Sequence, residues 1–461
     1  MTFVALNKQH LIVKKVLLII ASIFVANQAT AQIKPVVDSS KTEISTQTVT
    51  TTSKGELTKS IVHVLDSIKK VKDAQEKTKE KKEHWYDNIG IRGYVQVRYN
   101  GLFSSNDKVS CDQCDKSWGT TSTAIDAKSN NGLFIRRARI VFSGQIHPNV
   151  YFYIQPDFAS SPTSGVNNFA QIRDAYFDLS FDAKKEFRLR IGQSKVPFGF
   201  ENLQSSQNRL TLDRNDGLNS AVANERDLGV FFYWAPSKIR DRFAMLVKDG
   251  YKGSGDYGVF AFGAYNGQTA NKSEANRNLH IVTRISYPFE VGGQIIEPGL
   301  QAYTGKWAFT NELSTGVTTP DKLYTVDQRV AASFILYPKP FGVQAEYNFG
   351  KGPRYDKMTN TVESSDLEGG YVTLNYKWDL PKHQYIYPFA KFQYYDGGKK
   401  FEKDARSYVV RDYELGIEWQ PIKAFELVAE WVIADRTFED SALPNNRQRG
   451  NLLRLQAQFN F

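Results

Sequence analysis

Hydrophobic and polar residues alternate strictly through the C-terminal segment 451–461. Its apolar positions, all of one parity, are Leu453, Leu455, Ala457, Phe459 and Phe461. A period of two is typical of a β-strand, whose successive side chains point to opposite faces. The alternation recurs from Ile89 onward in segments of about ten residues, which is the length of a tilted transmembrane strand.

Sixteen strands are predicted on this basis. They fall at 90–99, 133–145, 149–158, 170–180, 186–195, 227–235, 256–266, 278–288, 295–306, 327–337, 341–349, 368–379, 385–395, 408–420, 424–434 and 450–461. Short turns alternate with longer polar connections such as 100–132, 196–226 and 350–367. Short turns at one rim and long loops at the other are characteristic of membrane barrels.

The predicted fold is therefore all-β: a 16-stranded antiparallel transmembrane β-barrel over residues 89–461, with an N-terminal periplasmic helical or coiled-coil segment. One stretch, 235–256, does not fit this scheme. Its apolar residues around Arg242–Lys248 stand where a short turn is expected. The stretch is either a periplasmic excursion or two further strands, which would make the barrel eighteen-stranded.

Residues 1–31 are typical of a secretory signal peptide. Lys8, Lys14 and Lys15 precede the apolar run 16–26, and Ala29-Thr-Ala31 provides a cleavage site with small residues. The alternative is an uncleaved anchor, but the run is shorter than the roughly 20 residues that span a bilayer. Residues 32–55, rich in Ser and Thr, are predicted to form a flexible tether.

Residues 56–86 are predicted to form a periplasmic helix. Ile61, Val64, Ile68 and Val71 occupy heptad positions, with Lys and Glu between them. The pattern fits a coiled coil or a solvated amphipathic helix equally well. In a coiled coil, isoleucine at these positions favours oligomers larger than a dimer, which would suit a trimer.

The rest of the sequence is hydrophilic, and no later segment predicts a transmembrane helix. A chain that spans a membrane without helices must close into a barrel, because every backbone group in lipid needs an internal partner. The aromatic content, 24 Tyr and 30 Phe, agrees with this. Part of the formal charge of +10 belongs to the N-terminal segments, and the modest remainder argues against a nucleic-acid partner.

Alternation also predicts which side chains face the barrel interior. Arg or Lys at mid-depth on a lipid face costs about 2–4 kcal/mol, so the polar parity must be the lumen. The predicted pore-lining and anion-contacting residues are Arg98, Arg137, Arg139, Arg188, Arg190, Lys195, Arg226, Arg284, Lys391 and Arg454. Acids share the lumen at Asp174, Asp178, Glu346, Glu418 and Glu430. The cations therefore form either ion pairs that shape the wall or a track for anions.

The connection 196–226 is long enough to fold into the lumen and narrow the pore. The alternative is an external loop that packs against a neighbouring subunit. Its charges, including Arg209, Arg214, Asp213 and Asp216, are balanced and do not fix an ion preference.

Several motifs resemble one family. They are Phe134-Ile-Arg-Arg-Ala-Arg-Ile140, Ile172-Arg-Asp-Ala-Tyr-Phe177, Leu189-Arg-Ile-Gly-Gln-Ser-Lys-Val-Pro-Phe-Gly-Phe-Glu201, Arg226-Asp-Leu-Gly229 and Tyr265-Asn-Gly267. Together they resemble the phosphate-selective porin O/P family over about 89–461. The resemblance implies a trimeric porin of the Gram-negative outer membrane. Its expected partners are outer-membrane lipids and small anionic solutes, and it implies passive diffusion without a cofactor.

The family prototypes bind phosphate with an arginine ladder and a lysine cluster. Arg137, Arg139, Lys195 and Arg226 lie in matched motifs. The nearest candidates for the lysine cluster, Lys399, Lys400 and Lys403, are flanked by acids. A general anion-preferring porin and a phosphate-specific one therefore both remain open.

Cys111 and Cys114 lie in the first long loop. In an exported protein a disulfide is expected, and a metal site is the alternative. No nucleophile with a positioned histidine base accompanies the few histidines, so no enzyme is predicted. A structural or adhesive barrel without an open pore is the competing function.

Overall fold

The computed structural model describes residues 66, 69–70, 84–105, 132–160, 169–309, 313–320, 324–442, 444 and 446–461. The chain divides into two units, Met1–Lys81 and Lys82–Phe461. In the first unit only Asp66, Lys69 and Lys70 are described, and all three are helical. The predicted signal peptide, tether, most of the 56–86 helix and the Cys111–Cys114 pair lie outside the described residues.

The second unit is a single antiparallel sheet closed on itself. Its strands are β1 (Ile89–Ser105), β2 (Gly132–His147), β3 (Val150–Ser160), β4 (Phe169–Ser180), β5 (Phe187–Lys195), β6 (Arg226–Trp234), β7 (Phe260–Tyr265), β8 (His280–Ser286), β9 (Phe289–Val291), β10 (Gln294–Ala308), β11 (Tyr324–Leu336), β12 (Phe341–Asp356), β13 (Thr361–Tyr376), β14 (Trp378–Leu380), β15 (Gln384–Gly398), β16 (Ser407–Ile422), β17 (Phe425–Glu439) and β18 (Asn446–Asn460).

These segments make sixteen transmembrane strands. The short β9 continues β8, and both pair with β10; β14 continues β13 in the same way against β15. The barrel closes because β1 pairs with both β2 and β18. Each predicted strand overlaps one of these sixteen, so the prediction of a 16-stranded antiparallel barrel is confirmed.

The two faces of the sheet differ as the alternation predicts. On β18, Leu455 and Phe459 are exposed on the outer face, while Arg454, Gln456 and Gln458 are buried inside. Outward leucines and phenylalanines suit the hydrocarbon of a bilayer, and inward polar groups find partners in the lumen.

The last residue completes the barrel. Phe461 exchanges backbone hydrogen bonds with Gly93 of β1, at 2.8 Å and 3.0 Å. A Cβ at Gly93 would lie 2.5 Å from the Phe461 ring and from the Arg139 carbonyl oxygen. Only glycine therefore allows this contact between the ends of the barrel. The rim at which β1 begins and β18 ends is called the terminal rim below.

The ambiguous stretch 235–256 contains a helix, α3 (Ser237–Lys248), and no strand. Ile239, Phe243 and Leu246, spaced four and three residues apart, form its buried face. The eighteen-strand alternative is therefore wrong. Among the described residues, no helix is both long and apolar enough to cross a bilayer.

One predicted loop is also wrong. Residues 350–367 were expected to be a long polar connection, but β12 and β13 continue pairing to Asp356 and Thr361 and leave a four-residue turn. Long polar strands beyond the hydrophobic band carry no alternation of hydrophobicity, so the sequence pattern does not reveal them.

Candidate pore lining and constriction

The residues between β5 and β6, 196–225, fold into the barrel interior and are called the inward loop. The loop contains two short helices, α1 (Phe200–Leu203) and α2 (Asp216–Asn219). Glu346 of β12 accepts hydrogen bonds from the backbone amides of Phe200 and Glu201, at 2.6 Å and 2.8 Å. These contacts hold the first helix against the far wall. The external alternative for this loop is therefore wrong.

Ion pairs fix the middle of the inward loop. Lys391 of β15 lies 2.9 Å from Glu201, whose other carboxylate oxygen accepts from the backbone and side chain of Asn215. Burial disfavours the charged form of Glu201, but Lys391 outweighs this and lowers the pKa of the carboxyl. Asp216 pairs in the same way with Lys399, at 2.6 Å. The loop is thus held by charges that have no access to bulk water.

Three arginines of the wall lie within ion-pair distance of Asp213 in the inward loop. Arg98 lies at 3.3 Å, Arg454 at 3.1 Å and Arg136 at 3.6 Å. Burial opposes ionisation of Asp213, but these arginines hold the pKa of its carboxyl well below its ordinary value. Its side chain is 25% exposed and that of Arg136 35%, so this cluster faces the lumen.

The tip of the inward loop touches the wall at β1 and β2. The Tyr94 and Ser206 hydroxyls are 2.6 Å apart, and Gln96 donates to the Ser206 carbonyl at 3.1 Å. Arg139 donates to the Tyr94 hydroxyl at 2.8 Å and forms an ion pair with Asp157 at 2.7 Å. These contacts narrow the lumen on this side.

A cavity of about 470 Å³ lies between the inward loop, α3 and the wall formed by β1–β5. Seven of its lining residues are basic and three are acidic. The basic residues are Arg92, Lys185, Arg188, Arg190, Lys195, Arg226 and Arg240, and the acids are Asp174, Asp178 and Asp256. The formal excess of cations makes the cavity favourable for anions.

The structure brings four of the ten predicted residues together at this cavity: Arg188, Arg190, Lys195 and Arg226. Arg98, Arg454 and Lys391 instead hold the inward loop, and Arg139 lies at its tip. Arg284 pairs with Glu297 in the wall at 3.1 Å. Arg137 donates to Gln96 at 2.8 Å beside the constriction.

All ten predicted residues are buried on the inner face. Eight of them have a carboxylate within ion-pair distance. Among the described residues, Arg137 and Lys195 have no such partner; Lys195 donates to the carbonyls of Leu203 and Gln204 at 2.8 Å and 2.7 Å. Most of the predicted cations therefore also form ion pairs that stabilise the wall or the inward loop.

The alternation rule did not identify two inward-facing arginines, because β-bulges shift the pairing at their positions. The pairing of β1 with β2 skips Arg136, and that of β3 with β4 skips Arg173. Each therefore points inward beside its neighbour in sequence, Arg137 or Asp174. A bulge places two successive residues opposite one partner, so simple alternation fails there.

Three other cavity residues were missed for different reasons. Arg92 has the inward parity of β1 but lies near the strand's start. Lys185 lies in a turn, and Arg240 belongs to α3, which the sequence did not predict. Lys399 and Lys400, considered for an external lysine cluster, are buried inside and paired with Asp216 and Asp327.

A closed sixteen-stranded barrel with a polar interior and an inward constriction loop is the architecture of a diffusion porin. The family model of the phosphate-selective porins O and P matches residues 120–461. The chain belongs to this family, and it is an outer-membrane porin of a Gram-negative cell, a channel for passive diffusion.

Three solved structures of outer-membrane channels are similar to this chain to different degrees. OmpF of Salmonella typhi, solved with daunomycin, has 13% identity and a TM-score of 0.51, and the match covers 81% of this chain and 98% of OmpF. The outer-membrane channel DcaP of Acinetobacter baumannii has 15% identity and a TM-score of 0.49, with 81% and 97% covered. An anion-selective porin of Comamonas acidovorans has 10% identity and a TM-score of 0.42, with 81% and 99% covered. No curated protein matches the sequence.

Proposed function

We propose that small anions diffuse through this porin along the wall formed by β1–β5, and that no chemical reaction takes place. The observation that carries the proposal is the cavity with seven basic and three acidic residues. In a narrow lumen with low-dielectric walls, excess positive charge raises anion occupancy and repels cations.

The proposed path has two stages. From the loop side, an anion meets Arg136 above the constriction, where this side chain is 35% exposed. It then passes the tip of the inward loop and enters the cavity, where Arg92 and Lys185 lie toward the terminal rim. In outer-membrane barrels that rim faces the periplasm. Among the described residues neither Arg92 nor Lys185 has a carboxylate partner, so both retain their charge for a passing solute.

Phosphate specificity is not part of the proposal. The lysines nearest to a family-like cluster, Lys399 and Lys400, are buried and neutralised by acids. They cannot collect anions at the mouth, so we infer a preference for anions in general.

Charge reversal tests the path. In planar bilayers with a KCl gradient, Arg92→Glu combined with Lys185→Glu should move the reversal potential toward that of potassium. Lys423→Glu is the matched control, because Lys423 is exposed in a turn at the same rim and does not line the cavity. An equal shift in the control, or no shift in the double variant, would contradict the path.

The competing function is a structural or adhesive barrel without an open pore. The inward loop contacts two separate parts of the wall and packs with α3 through Phe200 and Leu246, and this is the observation in its favour. Single-channel recording distinguishes the two functions, since a structural barrel gives no discrete conductance steps.

We also propose that the porin is a homotrimer, whose subunits meet at the outer face of β7–β11. β7 has six residues and β8 has seven. Six residues extend about 20 Å, and strand tilt reduces the height further, whereas the hydrophobic band of a barrel is about 25 Å tall. Protein covers so short a wall better than lipid does.

The outer face of this short wall is also unusual in composition. A groove of about 900 Å³ runs from there onto β12 and β13. Its lining includes Thr304 and Gln328, both exposed, and apolar side chains such as Ile281. Polar groups at this position favour a second copy of the chain over hydrocarbon.

Substitution by tryptophan tests the interface. Gln328→Trp should reduce the fraction of trimer seen by native electrophoresis, because the bulky ring fills the groove. Leu415→Trp on the outer face of β16 is the control and should leave the trimer intact. The opposite pattern would contradict an interface at β7–β11.

A further inference from the structure

Four tyrosines line the cavity with hydroxyl groups that the protein leaves unused. They are Tyr151 and Tyr153 of β3, Tyr176 of β4 and Tyr257, which precedes β7. Within the described part of the chain, none of these hydroxyls has a hydrogen-bond partner, and none is enclosed like the unpartnered Tyr233 and Tyr265 hydroxyls. They are available to a solute that enters the cavity.

Two of the four rings, those of Tyr153 and Tyr176, pack against one another and against arginines. Tyr153 and Tyr176 stack with centroids 5.1 Å apart and an interplanar angle of 11°. The guanidinium of Arg190 covers Tyr176 at 3.9 Å, and that of Arg92 lies 5.8 Å from the Tyr153 centroid. Tyr153 and Tyr176 therefore form a row across neighbouring strands, called the tyrosine row, with Arg92 at one end and Arg190 at the other. Fixed rings hold their hydroxyls in place before a solute arrives, which reduces the entropy lost on binding.

Cations that remain available lie beside this row. Arg190 is committed to Asp178 at 2.7 Å, but Arg92 has no carboxylate partner among the described residues. Within the described residues, the Lys185 ammonium donates to one acceptor, the side-chain oxygen of Gln145, at 2.7 Å. One part of the cavity thus offers positive charge, and the tyrosine row offers neutral hydroxyls.

The combination indicates a particular ligand chemistry. A phenol hydroxyl both donates and accepts, so it matches the hydroxyls of a carbohydrate. Inorganic phosphate near pH 7 carries only one or two hydroxyls, fewer than a monosaccharide, so it gains less from hydrogen-bond acceptors. A volume of about 470 Å³ lies within the usual range for small-molecule sites. We propose that the cavity binds hydroxylated organic anions, namely monosaccharides that carry one carboxylate or phosphate group.

This proposal rests on the proposed anion path, and it adds a solute class that general anion attraction does not require. Sugar acids and sugar phosphates would dwell in the cavity, whereas chloride and inorganic phosphate would pass or bind weakly. Neutral sugars would lack the attraction of Arg92 and Lys185.

The test is block of single-channel current in planar bilayers by four probes: glucuronate, glucose 6-phosphate, inorganic phosphate and glucose. We expect half-block by glucuronate and by glucose 6-phosphate at concentrations about tenfold below those of phosphate and glucose, given one or two extra hydrogen bonds. Equal block by inorganic phosphate and the two sugar anions would overturn the proposal.

The double variant Tyr153→Phe with Tyr176→Phe removes two hydroxyls and keeps both stacked rings. It should weaken block by glucuronate about tenfold and leave block by inorganic phosphate unchanged. Tyr413→Phe, on the outer face of β16, is the control. A double variant with unchanged glucuronate block would overturn the proposal while the anion path could still stand.

A second variant does not depend on the tyrosines. Arg92→Gln should weaken glucuronate block severalfold and leave glucose block unchanged, and an equal effect on both would contradict the proposal. A channel that shows no anion preference in a KCl gradient would instead remove the proposed function, so the two failures are distinguishable.

Discussion

The hydroxyl of Tyr94, on the wall, lies 2.6 Å from the hydroxyl of Ser206, at the tip of the inward loop. This contact joins the loop to the near side of the barrel, while Glu346 holds its first helix on the far side. The loop therefore crosses the lumen from wall to wall. We propose that solutes pass beside the loop through the cavity at β1–β5, whose lining has seven basic and three acidic residues.

Removing the Tyr94 hydroxyl should loosen the constriction. Tyr94→Phe loses one buried hydrogen bond shared with Ser206 and one accepted from Arg139, at a cost of about 0.5–1.5 kcal/mol each. We expect larger or noisier single-channel conductance, measured in symmetric KCl. Tyr99→Phe is the control, because Tyr99 lies five residues further along β1 on the outer face. Identical currents in wild type and Tyr94→Phe would show that this contact does not limit the pore.

Breaking the central ion pair should release more of the loop. Glu201→Gln leaves the buried Lys391 without its nearest carboxylate, and removal of one partner of a buried pair costs about 3–5 kcal/mol. We expect a lower unfolding temperature and higher conductance. Arg447→Gln, in an exposed pair with Asp435, should change neither property measurably. A Glu201→Gln protein as stable as wild type would count against the anchoring role.

Asp256 is expected to moderate the anion preference. Its carboxylate neutralises Arg188 at 2.8 Å and Arg240 at 2.7 Å beside the cavity. Asp256→Asn should therefore make the reversal potential in a KCl gradient more anion-like. Asp379→Asn, at the terminal rim and exposed, is the control. A shift toward cation preference would contradict the assignment of the cavity as the path.

The effect of Asp256 should not depend on pH near neutrality. Burial disfavours its charge, but Arg188 and Arg240 outweigh burial and lower the pKa of the carboxyl. A lowered pKa means that the ionised form, and the stability it contributes, persists above the unfolded value near 3.9 and is lost only as the pH falls below it. The difference in reversal potential between wild type and Asp256→Asn should thus be constant from pH 8 to pH 5. A midpoint within that range would be inconsistent with the ion pairs.

The sequence predicts the barrel well, because the physics of a strand in lipid is local. Alternation alone places Arg98, Arg190 and Arg454 inside, since the outer face excludes charge. It fails at Arg136 and Arg173, where bulges insert a residue into the pairing. Nothing in the local pattern distinguishes these positions from their neighbours.

The candidate site depends on contacts between distant segments, and these were predicted poorly. Lys391 was expected to contact anions, but it pairs with Glu201, 190 residues earlier in the chain. The role of such a lysine depends on where the inward loop docks. The helix α3 was likewise not predicted, because its short amphipathic sequence fits either a helix or a pair of short strands.

The most direct test of the central claim is the reversal potential of the full protein in a planar bilayer across a tenfold KCl gradient. The excess of cations along β1–β5 predicts discrete conductance steps and a reversal potential on the chloride side of zero. Conductance with a reversal potential on the potassium side, or no conductance at all, would contradict an anion-preferring porin.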